Sequence, residues 1–300
     1  MRLGIFAWFT LALAGPLAAE PWREAASAHF VIYSQESEAE LRDFATRLER
    51  LDKALRTLQA SEDPPLGKAS RLTVYVVRDA ASVRRLLGEG PKYTAGFYTA
   101  DAGQSLAFTP RLIGSGSKYD LGAMTVLIHE YAHHYMWRTA PAAYPAWYVE
   151  GFAEFWSTAR FETDGGVGIG LPAYHRAPTL LLGRNAISLA EMLGETRPAQ
   201  SPDQLDTLYG RGWLLAHYLT FDKARSGQLA RYLDAINRGT PPLKAATDAF
   251  GPLEQLDREL RAYVGKRLSY LPLPAARLPV TPPTIRTLRA GEAAILPIAL

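Results

Sequence analysis

Val126-Leu127-Ile128-His129-Glu130-Tyr131-Ala132-His133-His134 is the stretch on which the reading of this chain turns. Its apolar residues continue those at Leu121 and Met124, so the segment reads as a largely buried helix. Residues four apart share one face of a helix, which brings the imidazoles of His129 and His133 to one point. Glu130 sits beside the first imidazole, where its carboxylate can reach a water held at that point. With six His in 300 residues and Glu at roughly one in twenty, chance supplies about 0.006 such H-E-x-x-H stretches. His134 is turned about 100° further around the helix and cannot share the face, so a packing or surface role falls to it.

Composition narrows what the two imidazoles can hold. The chain has no Cys, which excludes a disulfide framework, an iron–sulfur cluster, a cysteine nucleophile and any thiolate-ligated metal. A metal must therefore be bound by His, Asp and Glu. Zinc suits imidazole nitrogen and, in catalytic sites, keeps a fourth position open for water. Lys+Arg 33 against Asp+Glu 30 gives a net charge of +3 with no basic run, which does not argue for a nucleic-acid partner.

At the N-terminus, Met1-Arg2 and the apolar run Leu3 to Ala14 read as a secretory signal, broken by Gly15-Pro16 and followed by Leu17-Ala18-Ala19. The expected cut lies near Ala19, giving a signal peptide over 1–19 and a mature charge of +2; Leu17 departs from the small-residue pattern and leaves an uncleaved anchor as the other reading. No later stretch has the length and apolarity of a membrane span, so the expectation is an exported protein, periplasmic or secreted, that leaves the membrane once the signal is removed.

Outward from the helix, residues 28–33 and 72–77 read as strands and Ser37 to Leu58 as a helix with Leu41, Phe44, Leu48, Leu51, Leu55 and Leu58 on one face, together a β-α-β unit. Residues 95–99 and 106–109, flanking Asp101-Ala102-Gly103, read as a hairpin that adds an antiparallel strand to the same sheet. Helices are expected near 119–138, 145–159, 188–194, 203–222, 226–236 and 252–267. The fold class is accordingly α+β, with a small N-terminal mixed sheet plus helix over 20–118 and a mainly helical part over 119–270. The Pro-rich segment 271–300 reads as an extended linker or tail.

Two imidazoles do not complete a zinc site, and Trp147-Tyr148-Val149-Glu150-Gly151-Phe152-Ala153-Glu154-Phe155-Trp156 offers two carboxylates downstream, at 150 and 154. Glu150 lies seventeen residues after His133, enough for a helix, a turn and a second helix packed across the first. Here the sequence resembles the gluzincin zinc metallopeptidases of the peptidase MA-like superfamily, in which H-E-x-x-H is followed by W-x-x-E-G-x-A-E. The likeness is closest to the aminopeptidase-N-type members, and the His-Glu-Tyr-x-His look is shared with collagenase-type ones. The resemblance implies a zincin-like cleft between the two parts, one Zn2+ held by His129, His133 and Glu150, and Glu130 as general base. It also implies that Glu154 holds a ligand histidine by its free ring nitrogen, as the equivalent acid does in thermolysin-like members. Without the resemblance, Glu154 is a solvated helix charge.

In Thr207-Leu208-Tyr209-Gly210-Arg211-Gly212-Trp213, the resemblance implies that Tyr209 donates its phenol to the oxyanion, although with fifteen Tyr in the chain a packed or capping Tyr209 is an equal reading. An arm of the hairpin is expected to be the edge strand that pairs with an extended substrate. The acidic motif by which aminopeptidase relatives select a free N-terminus has no counterpart in Gly114-Ser115-Gly116-Ser117-Lys118, which points to an endopeptidase acting on a peptide or protein. His175 and His217 read as satisfied structural histidines, and His29 carries no signal. The alternative function is a non-catalytic zinc-fold module that binds peptide or protein, against which the presence of Glu130 argues, because ligation alone does not need that acid. The sequence does not indicate an oligomeric state.

Overall fold

A computed structural model describes residues 20–67, 70–87, 96–101, 104–111, 122–139, 142–183, 186–194 and 201–299. β1 (Arg23–Ala26) and β2 (Phe30–Ser34) form an antiparallel pair in which Ala25 faces Ile32. Phe30, Ile32 and Ser34 alternate inward, as a half-buried strand requires. α1 (Glu38–Gln59) begins at a capping box between Ser37 and Glu40 and ends at Ala60, which takes a left-handed conformation. The apolar face expected for this helix is buried from Leu41 to Leu55, and only Leu58 is left exposed, at 37%. β3 (Leu72–Val77) runs parallel to β2, completing the β-α-β unit. After α2 (Ala80–Leu87), β4 (Phe97–Asp101) and β5 (Gln104–Pro110) form the hairpin; its turn at Ala102-Gly103 lies outside the described residues. β5 is paired on both sides, parallel to β3 and antiparallel to β4.

The helical part comprises α3 (Ala123–Thr139), α4 (Ala146–Ser157), α5 (Ala177–Leu182), α6 (Leu189–Gly194), α7 (Pro202–Phe221), α8 (Gln228–Asn237), α9 (Pro242–Phe250) and α10 (Leu253–Val264). The first residues expected for α3, 119–121, lie outside the described residues, and α2, α5 and α9 were not legible in the pattern. β6 (Arg160–Phe161), β7 (Val167–Ile169) and β8 (Leu271–Leu273) make a second, small antiparallel sheet. β9 (Thr284–Thr287) pairs with β1 on the far side of the main sheet, whose order is β4-β5-β3-β2-β1-β9. α11 (Ala290–Ala299) follows it. The class is thus α+β.

Segment 271–300 was expected as a linker and is instead built into both sheets. Leu288 and Leu296 join Tyr75, Val77, Val83 and Phe108 in a cluster on one face of the main sheet. Its prolines are compatible with this because β8 and β9 are short outer strands, where a missing N–H costs little. One continuous core runs from Ala25 to Leu278 and takes in residues of both the main sheet and the helices; position 118/119 itself lies outside the described residues. No helix among the described residues is long and apolar enough to cross a membrane.

Two features fix the position of α3, the helix that carries the histidines. A buried polar group of His29, Glu49, Asp52 and Arg56, joined from the surface by Asp63, ties the sheet to α1, and Tyr131 of α3 donates to Asp52 at 2.5 Å. His29, which carried no signal in the sequence, bonds Glu49 through Nδ1 and Asp63 through Nε2. On the other side, α4 crosses α7 at two glycines: a Cβ on Gly151 would lie 2.7 Å from the Gly212 carbonyl oxygen, and one on Gly212 would lie 3.0 Å from that of Trp147. Trp147, Trp156 and Trp213 pack the surroundings and are almost fully buried.

Two stability predictions follow from these contacts. Gly151→Ala would force backbone apart, at about 1–3 kcal/mol for overpacking, against at most about 1 kcal/mol returned by better helix propensity. A lowered Tm is expected, whereas Gly291→Ala, with open space around it and an ordinary φ, should leave Tm unchanged or slightly raised; a Gly151→Ala protein as stable as wild type contradicts the crossing. In the His29 group, burial opposes the charged imidazole, but the hydrogen bond to Glu49 and the charges of Asp52 and Glu49 outweigh it and hold His29 above its usual value. Burial likewise opposes the Glu49 carboxylate, and the bonds from His29 and Ser27 outweigh it, holding Glu49 below its usual value. The His29 contribution is full below about pH 6.5 and is lost as pH rises through the folded-state value; that of Glu49 is full above about pH 4.5 and is lost as pH falls. Thermal unfolding from about pH 6 to about pH 9 should show stability falling, with a smaller slope in His29→Gln; equal slopes would contradict the ion group.

Candidate metal centre

α3 is walled in on most sides. Val126, Leu127, Ile128, Tyr131, Ala132, Tyr135 and Met136 are buried, while His129, Glu130 and His133 form the half-open stripe that faces α4. The apolar residues fix the rotation of the helix, and the rotation presents the histidines.

The three expected ligands converge. His129 Nε2 and His133 Nε2 lie 3.0 Å apart, and Glu150 Oε2 lies 3.3 Å from the first and 3.5 Å from the second. Ligands at 2.0–2.1 Å from a tetrahedral zinc are separated from one another by about 3.3 Å. Glu150 Oε2 is also buried without a hydrogen-bond partner, a costly condition for a carboxylate oxygen unless a cation satisfies it. Two imidazole nitrogens, one orphaned oxygen and no thiolate form a donor set that fits a borderline divalent cation such as zinc. His29, Asp52 and Asp63 also lie close together, but Arg56 Nε sits 2.7 Å from Asp52 and the imidazole is bonded through both nitrogens, so those donors are already engaged.

The electrostatics are those of a proton held where a metal ion would sit. Burial works against a charged His129, but the carboxylates of Glu150 and Glu154 set against its two ring nitrogens win and push it up to about 10. Burial works against the Glu150 carboxylate, and the two imidazoles win and hold it at about 2. A metal ion entering the site displaces a proton, as ligation by neutral imidazole requires. Burial raises the Glu130 carboxyl above its usual value, partly offset by His129 and His133. The Tyr209 ring stands 5.7 Å from that of His129, and burial, with Glu150 and Glu154, pushes the phenol well up, so it remains a proton donor.

Glu154 is not a solvated charge. It is 2% exposed, and its Oε1 lies 3.2 Å from His129 Nδ1. Burial opposes its ionisation, but hydrogen bonds from His129, His175 and Arg176 hold it far below the usual carboxylate range. This contact commits Nδ1–H to Glu154, so that Nε2, with the proton a metal ion would displace, is the nitrogen turned toward the cluster.

The remaining histidines divide. His134 points away from the cluster, 3.0 Å from the Tyr98 hydroxyl, and burial pushes it down to about 3. His217 is satisfied in the core by Tyr263, Gly170 and Ser269. His175 is also satisfied, its Nε2 3.1 Å from Glu154 Oε2, and the neighbouring Arg176, which sequence reasoning passed over, grips the same carboxylate at 3.0 and 2.7 Å. Both lie in a Gly/Pro-rich stretch without periodicity, and only the closeness of a His-Arg pair to an unpaired buried acid could have signalled them.

No protein-family model matches the chain, and no curated protein matches it.

Purified protein freed of metal and titrated with zinc under chelator competition is expected to take up one equivalent. Glu154→Ala should weaken that uptake by about 10–100-fold and Glu150→Ala by more. Equal affinity in Glu150→Ala would contradict the donor set.

Proposed function

We propose that this chain is an exported, zinc-dependent metallopeptidase of gluzincin type that hydrolyses internal peptide bonds. The observation that carries the reading is the convergence of His129, His133 and the orphaned Glu150 oxygen beside a partly buried acid, Glu130, that ligation does not need. Zinc bound there would polarise the scissile carbonyl and acidify a water. Glu130, its proton affinity raised by burial, takes the proton from that water and hands it to the leaving amine. Tyr209, kept protonated, donates to the oxyanion that forms as the carbonyl is attacked. Glu154 keeps His129 in the tautomer that directs Nε2 to the centre.

The position of the hairpin supports a peptide substrate. β5 is paired on both edges, which leaves β4 as the outer strand at that end of the sheet among the described strands. β4 lies against α3: a Cβ on Gly96, just before β4, would meet Val126 Cγ1 at 2.6 Å. An extended chain adding to β4 would run alongside the metal centre. Export rests on the N-terminal signal pattern, and the preference for internal bonds on the missing acidic motif near residues 114–118, which lie outside the described residues.

Glu130→Gln should keep its zinc and lose peptide hydrolysis by about 10²–10⁴-fold, and Tyr209→Phe should lower kcat by about 10²–10³-fold. A peptide-library digest paired with metal analysis checks both. Full activity in Glu130→Gln would overturn the mechanism, and zinc-loaded wild type that cleaves nothing would favour the non-catalytic binding module.

A further inference from the structure

The Glu154 carboxylate has four N–H partners. Oε1 meets His129 Nδ1 at 3.2 Å and Arg176 Nη2 at 2.7 Å, while Oε2 meets His175 Nε2 at 3.1 Å and Arg176 Nε at 3.0 Å. Arg176 reaches further. Its Nη1 donates to Asp206 at 3.1 Å, and its guanidinium carbon stands 4.8 Å from the centre of the Tyr209 ring. Asp206 and Tyr209 lie three apart on α7 and so share one face. Asp206 is itself held by the Thr179 hydroxyl at the start of α5. One planar group thus touches the acid behind ligand His129 and the tyrosine beside it, and the His129 and Tyr209 rings, 5.7 Å apart, close the loop.

We propose that Arg176 is a positioning residue that sets the His129 imidazole and the Tyr209 phenol relative to each other, joining α4 to α7 through Glu154, Asp206 and the face of the tyrosine. The catalytic part of this inference rests on the peptidase reading above; the metal-ligand part does not. The physical case lies in the shape of the group. Glu154 alone can orient His129 but has no hold on α7. A guanidinium bonded twice to one carboxylate fixes its own plane, and its place over the Tyr209 ring, 4.8 Å from the ring centre, limits where that ring can stand. A lysine at 176 would keep the charge and lose both constraints, because an ammonium makes no fork and has no face. The side chain is 14% exposed, so the arrangement is held away from bulk water.

The test compares wild type with Arg176→Met, Arg176→Lys, Tyr209→Phe and the Arg176→Met/Tyr209→Phe double variant, each loaded with zinc for kinetics and with cobalt for visible absorption. Expected for Arg176→Met are a kcat lower by about 10–100-fold with KM within about twofold, zinc affinity lower by about tenfold, and altered cobalt bands that report a reoriented His129. Arg176→Lys should rescue none of these. In the Tyr209→Phe background, Arg176→Met should cost clearly less than in wild type, because part of its effect runs through the phenol. A lowered Tm with unchanged cobalt bands, unchanged zinc affinity and additive losses in the double variant would overturn the proposal and leave Arg176 a packing residue. If wild type binds zinc and cleaves nothing, the peptidase reading fails, while the cobalt bands and zinc affinity still decide whether Arg176 sets His129. If Arg176→Met does not fold, Arg176→Lys, which retains charge and most of the packing, carries the same comparison.

Discussion

The backbone contact between α4 and α7 at Gly151 and Gly212 is the constraint on which the site depends. Where neither residue carries a Cβ, the two helices approach until the Gly212 carbonyl lies where a Gly151 side chain would stand. That closeness has two effects. It fixes α4 with Glu150 and Glu154 turned toward α3, and it brings Tyr209, three residues before Gly212, to within ring contact of His129. Helices separated by ordinary side chains would pack about 8–10 Å apart; here the small residues remove that spacer at the one place where acid, imidazole and phenol must meet.

The charges in the cluster are held in place by protein groups. Glu154 is neutralised by Arg176 and bonded by two imidazoles, whereas Glu150 Oε2 stands between His129 and His133, 3.3 and 3.5 Å from their Nε2 atoms, without a hydrogen bond to either. Buried carboxylates of this kind are costly unless every lone pair is met. Glu154 meets that condition and Glu150 does not. The difference sets the proposed ligand apart from the acid behind it: Glu154 is complete within the protein, and Glu150 Oε2 is left without a hydrogen-bond partner, a lack that a cation would make good. A chain without cysteine has imidazole and carboxylate as its metal donors, and it concentrates them here.

The legible and illegible parts of the molecule differ for physical reasons. His129 and His133 lie four apart on one helix, where a period of 3.6 residues turns sequence spacing into spatial direction, so their pairing could be read from spacing, whereas the places of Glu150 and Glu154 on a second helix were expected only from the resemblance of their motif. The β-α-β unit was readable because α1 carries a regular apolar face and β2 and β3 are runs of β-branched and aromatic residues. His175 and Arg176 were not readable, because they occupy a single short turn between a Gly-rich loop and α5, where no period relates position to direction. The tail from Leu271 looked like a linker because its prolines mask two short outer strands, whose pairing partners, β7 and β1, lie more than a hundred residues away in sequence. His29 gave no signal because its partners come from α1 and the loop after it, and a lone histidine before a strand does not indicate them.

The central claim is that His129, His133 and Glu150 form one metal site, and anomalous X-ray scattering on either side of the zinc absorption edge tests it most directly. In crystals of the protein grown with one equivalent of zinc, the account predicts a single peak about 2.0–2.2 Å from His129 Nε2, His133 Nε2 and one oxygen of Glu150. An empty position there, or a peak on His29, Asp52 and Asp63 instead, would contradict it.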